Sequence, residues 1–172
     1  MPKYGFIHDK LDIKILILFV LKRLPCPIDS ATLCDLVNCD DGIDYFDYSD
    51  CLAELVKTEH INEIEEYFEI TEKGKRNADS VESSLPFSVR NKAERNIKPV
   101  AERLKRMAMI TAKHSIKDDN SICVSLAMED GKGEIFSSSI LVPDENTAIR
   151  IEKRFRIHAE EIYSEYIKLL TE

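Results

Sequence analysis

Apolar residues enter this chain in two rhythms, and the places where one gives way to the other mark out its parts. Behind Asp9, a capping residue with Asp12 three positions on, Leu11, Ile15, Leu18 and Leu21 recur at helical spacing. Ile13, Leu16, Ile17 and Val20 make the other side of the same segment apolar as well. A helix of about four turns that is apolar all round must be covered on every side. A small domain does not easily supply that cover alone, so the pattern predicts help from a second chain or from the C-terminal half. Pro25 and Pro27 end this helix, and Asp29 or Ser30 caps a short second one through Ala31, Leu33, Cys34, Leu36 and Val37. After a polar turn from Asn38 to Gly42, Asp44 stands at a helix cap with Asp47 three residues on. Ile43 is placed to meet Tyr48 as a hydrophobic staple. The third helix then runs through Cys51, Leu52, Leu55 and Val56 to Thr58.

The rhythm shortens next. Ile61 to Ile64 and Tyr67 to Ile70 read as two brief strands joined by Glu65 and Glu66, and Thr71-Glu72-Lys73-Gly74 opens another helix. Short helix, tight turn, longer helix and hairpin is the order of a helix-turn-helix followed by a wing. The polar stretch from Ser80 to Pro86 is the best boundary, dividing a winged helix-turn-helix domain at 1–80 from a C-terminal α/β domain at 81–172. From Phe87 to Met109, Val89, Ala93, Ile97, Val100, Leu104 and Met107 restore helical spacing, and Pro99 predicts a kink or break near Lys98. Lys92, Arg95, Arg103 and Arg106 gather on the side opposite that stripe. Three strand-like segments follow, at Ala108 to Ile116, Ile122 to Met128 and Glu134 to Val142. The turns between them, Asp118-Asp119-Asn120 and Asp130-Gly131-Lys132-Gly133, make an antiparallel meander. Within it Ser125, Ala127, Ser137 and Ser139 alternate as small residues on one face. Pro143 and Asp144 start a last helix with the stripe Ala148, Ile151, Phe155, Ile162, Tyr166 and Leu169. The fold class is α+β: a winged helix-turn-helix, then helix, three-stranded meander and helix, the second part serving dimerisation or sensing.

The order of these features resembles a bacterial family of domains of unknown function, family 4364. The resemblance rests on Ile43-Asp44-Tyr45-Phe46-Asp47 with Leu52, Glu54, Leu55 and Val56 behind it, and on Ile70-Thr71-Glu72-Lys73-Gly74. It rests equally on Leu85-Pro86-Phe87-Ser88-Val89-Arg90 and on the helix from Ala148 to Tyr163. It covers nearly the whole chain. It implies a winged-helix regulator with an appended α/β domain, and it implies neither a reaction nor an effector.

Composition changes this picture at one point. With 172 residues, 44% hydrophobic and 33% charged, the chain holds enough apolar material for a folded core in one or two small domains. Its net charge is −8, however, and the excess lies in residues 1–80, with 9 basic against 17 acidic side chains, while the rest holds 15 of each. That excludes bulk electrostatic attraction to nucleic acid or to an anionic membrane. The apolar run Ile15 to Leu21 is far shorter than the roughly 20 residues of a spanning helix. Lys22, Arg23, Leu24, Pro25 and Cys26 stand where a secretion signal would show small residues, so a cytoplasmic protein is expected. Cys26, Cys34, Cys39, Cys51 and Cys123 sit mostly in apolar runs without metal-ligand spacing and read as reduced packing residues. His8, His60, His114 and His158 are scattered, without a companion nucleophile or ligand pair. No enzyme, cofactor or metal is expected.

The function expected is a transcriptional regulator that binds DNA through the winged helix as a homodimer. The outward residues of the third helix include Tyr45, Ser49, Asp50 and Lys57, together with Phe46, Asp47, Ala53 and Glu54. Lys73, Lys75 and Arg76 at the wing exit, and Lys92 and Arg95 on the basic helix, complete the candidate DNA contacts. Against them stand Glu63, Glu65, Glu66, Glu69 and Glu72, on a wing where a DNA reader usually carries Lys or Arg. The alternative is a winged-helix module that binds no DNA and uses its acidic surface for a protein partner.

Overall fold

The computed structural model describes residues 6, 7 and 9–172. His8 lies outside the described residues. Six α-helices and two three-stranded antiparallel sheets make an α+β fold among those residues. α1 (Lys10–Lys22) begins at Asp9, whose carboxylate accepts from the Asp12 backbone N–H at 2.8 Å. Ile13 and every residue from Ile15 to Leu21 are buried, whereas Leu11, in the first turn, is 64% exposed and does not belong to the stripe the spacing assigned it. The first unit covers this helix by itself. Residues of α2 (Ser30–Val37), α3 (Tyr45–Lys57) and α4 (Glu72–Val81) enter the same core, and Leu85 joins them with Val89, Ala93, Ile97 and Ala101 of α5 (Phe87–Ala108). Of the two covers expected for α1, a second chain or the C-terminal half, the latter is the one seen, because Leu85 to Ala101 belong to residues 81–172. The chain from Leu85 to Ala101 packs on the N-terminal core and completes the enclosure.

β1 (Ile28–Asp29), β2 (Ile61–Ile64) and β3 (Tyr67–Ile70) form the first sheet, in the order β1-β3-β2. Ile28 pairs with Phe68 and Asp29 with Tyr67, so the hairpin expected from the sequence gains a third strand. A strand of two residues, the second of which also caps α2, is too short to show a period of two. Ile28, Ile61, Phe68 and Ile70 face the core, while Asn62, Ile64, Tyr67 and Glu69 take the alternate, outward positions. Glu65 (φ 51°) and Glu66 (φ 67°) make the turn in left-handed conformation.

Chain contacts divide the protein into Met1–Leu104 and Lys105–Glu172, a division inside α5, with the stretch Ser80–Pro86 inside the first unit. α5 continues as one helix through Pro99 with no break near Lys98. Pro99 is exposed, so the Arg95 carbonyl that loses its i+4 donor lies on the watered side of the helix. In the second unit β4 (Ile110–Ile116), β5 (Ile122–Glu129) and β6 (Glu134–Val142) form a meander in chain order. α5 reaches Ala108, so the first of these strands starts two residues later than the sequence suggests. α6 (Glu145–Thr171) lays Ala148, Phe155 and Ala159 against Ala112, Val124, Leu126 and Met128. Ser125 pairs with Ser139 and Ala127 with Ser137, which places four small side chains on the face turned from α6. Non-helical backbone at His158 bends α6, and beyond it Leu169 is 79% exposed instead of continuing the buried stripe.

Candidate nucleic-acid interface

The segment from α2 to α3 is fixed by short polar side chains acting on neighbouring backbone. Asp29 caps α2, accepting from the Thr32 N–H at 2.9 Å and its hydroxyl at 2.7 Å. These hydrogen bonds hold its carboxyl below the usual range, so it is ionised at neutral pH. Asp40, in the following turn, accepts from the backbone N–H groups of Phe6 (2.7 Å) and Ile7 (2.9 Å) and so ties the chain before α1 to the turn. Gly42 completes the fit, since a Cβ there would meet the Ile7 carbonyl oxygen at 2.3 Å. Asp44 then caps α3 by accepting from the Phe46 N–H at 2.9 Å.

α3 buries Tyr48, Cys51, Leu52 and Leu55 and turns its other side to solvent. Tyr45, Phe46, Ser49, Asp50, Ala53, Glu54 and Lys57 are all exposed there, Phe46 to 77%. The three carboxylates on this side are not free. Lys10 of α1 reaches Asp50 at 2.8 Å and Asp47 at 3.6 Å, and Lys14 pairs with Glu54. The hydrogen bond to Asp50 raises the Lys10 pKa, and the one from Lys14 lowers that of Glu54. The acidic flank of α3 is thus matched by α1, a neutralisation that no reading of α3 alone reveals. At the N-terminal end the Tyr45 ring meets Phe46 edge-on at 6.0 Å and Tyr48 at 6.4 Å. Tyr48 is buried, its hydroxyl has no hydrogen-bond partner, and burial pushes its pKa upward.

The candidate cations fall into two sets. Lys22 pairs with Asp79 and Glu82, Arg23 with Glu82 and Glu94, and Lys75 with Glu72, so each is neutralised in place. Lys73 donates to the Thr58 carbonyl at 2.7 Å and thereby caps the C-terminal end of α3. Lys57, Arg76, Lys92, Arg95, Lys98 and Arg103 are exposed, with no ion pair among the described residues. Lys92 lies close enough to Cys39, beside the α2–α3 turn, to act electrostatically on its thiol. Of the candidates from the sequence, Lys57 and Lys73 gather at the C-terminal end of α3, with Arg76 one turn along α4 from Lys73. Tyr45 stands at the other end, where it shares a cleft with Glu65 and Glu66 of the hairpin. Asp50 is engaged with Lys10 and Lys75 with Glu72, so neither points a free charge outward.

Residues 13–170 match the model of the family described as "Domain of unknown function (DUF4364)". The chain belongs to the DUF4364 family. The match spans α1 to the last turn of α6, both units of this DUF4364 chain. No similar curated protein and no similar solved structure was found. Among the described residues of this DUF4364 protein, no group of three or more His, Cys, Asp or Glu side chains is placed to hold a metal. No helix among them is long and apolar enough to cross a membrane.

Proposed function

We propose that this protein is a winged helix-turn-helix transcriptional regulator that binds DNA as a homodimer. The element order α1-β1-α2-α3-β2-β3 is that of a winged helix, with α3 as the groove-reading helix and the β2–β3 hairpin as a short wing. The observation that carries the reading is the separation of paired from unpaired cations. Carboxylates of the N-terminal unit neutralise Lys10, Lys14, Lys22, Arg23 and Lys75, while Lys57, Arg76, Lys92 and Arg95 have no ion pair among the described residues. Unpaired cations are the groups that displace counterions from phosphates, so they are the source of affinity, with Ser49 and Tyr45 left to meet base edges. The exposed Tyr166, Leu169 and Leu170 at the end of α6 are the apolar surface that a dimer would bury.

An electrophoretic shift with duplex promoter DNA at low salt tests this. Binding should weaken steeply as salt rises, and Lys92→Glu with Arg95→Glu, or Lys57→Glu, should abolish it. A chain that leaves DNA unshifted at low salt, or whose shift ignores those reversals, overturns the reading. A second reading, an interaction module that binds no DNA, draws on the hairpin, where five glutamates stand at or beside the wing.

A further inference from the structure

The outward side of the first sheet carries two exposed apolar residues at its turn end, where a surface hairpin would ordinarily be polar. Ile64 and Tyr67 are ladder partners on that side, 69% and 52% exposed. Two cavities meet at the hairpin and share Glu65 and Tyr67 as a common wall. One, of about 410 Å³, is bounded by Pro27, Ile64, Tyr67 and Glu69, and the other, of about 600 Å³, by Tyr45, Tyr67, Asp29, Asp35, Glu65 and Glu66. No basic side chain lines either cavity. Aromatic rings beside carboxylates are the surroundings that hold an arginine or lysine head, by the ring face and by charged hydrogen bonds together. Adjoining cavities on one face of the hairpin suit an extended chain, which presents every second side chain to the surface beneath it, better than a compact solute.

The turn adds a separate indication. Glu65 and Glu66 both occupy left-handed positions, where Asn-Gly is the favoured pair and a side chain with a Cβ is strained. Two acidic side chains are kept there at the expense of backbone comfort, which is how strained residues at binding sites behave.

We propose that this hairpin face docks an extended protein segment that carries basic and apolar side chains on one side, two residues apart. The basic side chains enter the cavity between Tyr45 and Glu66, and the apolar ones lie on Pro27, Ile64 and Tyr67. The assignment goes beyond DNA binding and uses the acidic end of the unit and none of the exposed cations, although it shares Tyr45 with that reading.

The test uses the full chain and a fluorescein-labelled peptide in which arginine and valine take turns at every second position with serine between them, followed by anisotropy. Binding should be salt-sensitive, absent for the peptide with glutamate in place of arginine, and weak for the arginine-glycine peptide, which has glycine in place of valine. Glu65→Asn with Glu66→Gly, and separately Tyr67→Ala, should weaken it by about tenfold or more. The double variant relaxes the turn, so its thermal stability should rise while its affinity falls, which separates lost binding from lost folding. Unchanged affinity in that variant overturns the proposal, as does equal binding of the arginine-glycine peptide. Full displacement by spermine would assign the cavities to a small cation, and weaker DNA binding in the same double variant would return this face to the operator; each of these results overturns the peptide site.

Discussion

α1 has 13 residues and buries eight of them, while α6 has 27 and buries three. Composition already separates them in part, since seven of the 13 residues of α1 are Ile or Leu against seven of the 27 of α6. The number of neighbours separates them further. α1 is surrounded by helices and a sheet of its own unit, so each of its sides meets apolar cover, whereas α6 lies on one face of a meander and can bury only one stripe. Beyond the bend at His158, Ala159 is still buried and Ile162 and Tyr163 pack on the same core, and the rings of Tyr163 and Tyr166 meet Phe136 edge-on at 6.2 and 5.6 Å, before the stripe runs past the sheet. A helix that is apolar all round therefore marks the centre of its own unit as readily as it marks an interface.

The sharpest way to break this comparison is to truncate one residue in each helix. Phe19 is 1% exposed and carries the Arg23 guanidinium 3.5 Å above its ring. Phe19→Ala should cost about 3–5 kcal/mol, and Ile157→Ala of α6, at a position 76% exposed, less than about 0.5 kcal/mol, in urea titrations followed by circular dichroism. Comparable losses would mean that this side of α6 is buried after all. Gly74→Ala tests the enclosure of α1 from the α4 side, because the new Cβ would meet the His60 carbonyl oxygen at 2.2 Å and the Ile70 side chain at 2.8 Å. A loss of about 1–3 kcal/mol is expected, and an unchanged midpoint would show that α4 shifts freely.

Smaller effects sharpen the same contrast. Glu65→Asn with Glu66→Gly should stabilise the first unit by about 1 kcal/mol through relief of the left-handed turn, read as a higher melting temperature. The last concerns pH. Asn77 Nδ2 donates to His60 Nε2 at 2.6 Å, so the neutral ring carries its proton on Nδ1 and donates to Thr58 Oγ1 at 2.8 Å, and that hydroxyl donates to the Glu54 carbonyl. Burial, and then Lys73, lower the His60 pKa below its ordinary value of 6.5. Because the folded pKa is the lower one, this stabilisation is complete above pH 6.5 and is lost as pH falls through the folded value. Thermal melts of wild type and His60→Gln should differ most above pH 6.5 and converge below it, and parallel curves across that range would refute the linkage.

Much of the fold was legible because it is written locally. Asp9, Asp29, Asp44 and Asp144 each cap the helix that their position announces, and the turn at Gly131 (φ 82°) and Gly133 (φ 151°) stands where glycines permit it. The candidate interface was legible in part. The outward side of α3 follows from the spacing of Leu52 and Leu55, but the partners of Asp50 and Glu54 lie about 40 residues away on α1, and no local pattern names them.

Sequence alone determined the helices, the strands of the meander, the acidic first half and the basic stripe on α5, because spacing, caps and charge are properties of neighbours along the chain. Tertiary structure decided that α1 is covered by its own unit, that β1 joins the hairpin, and which cations stay unpaired. Burial and pairing depend on surfaces brought together from distant parts of the chain, and a lysine is held by a carboxylate, as Lys10 is by Asp50, or left exposed according to what folds beside it.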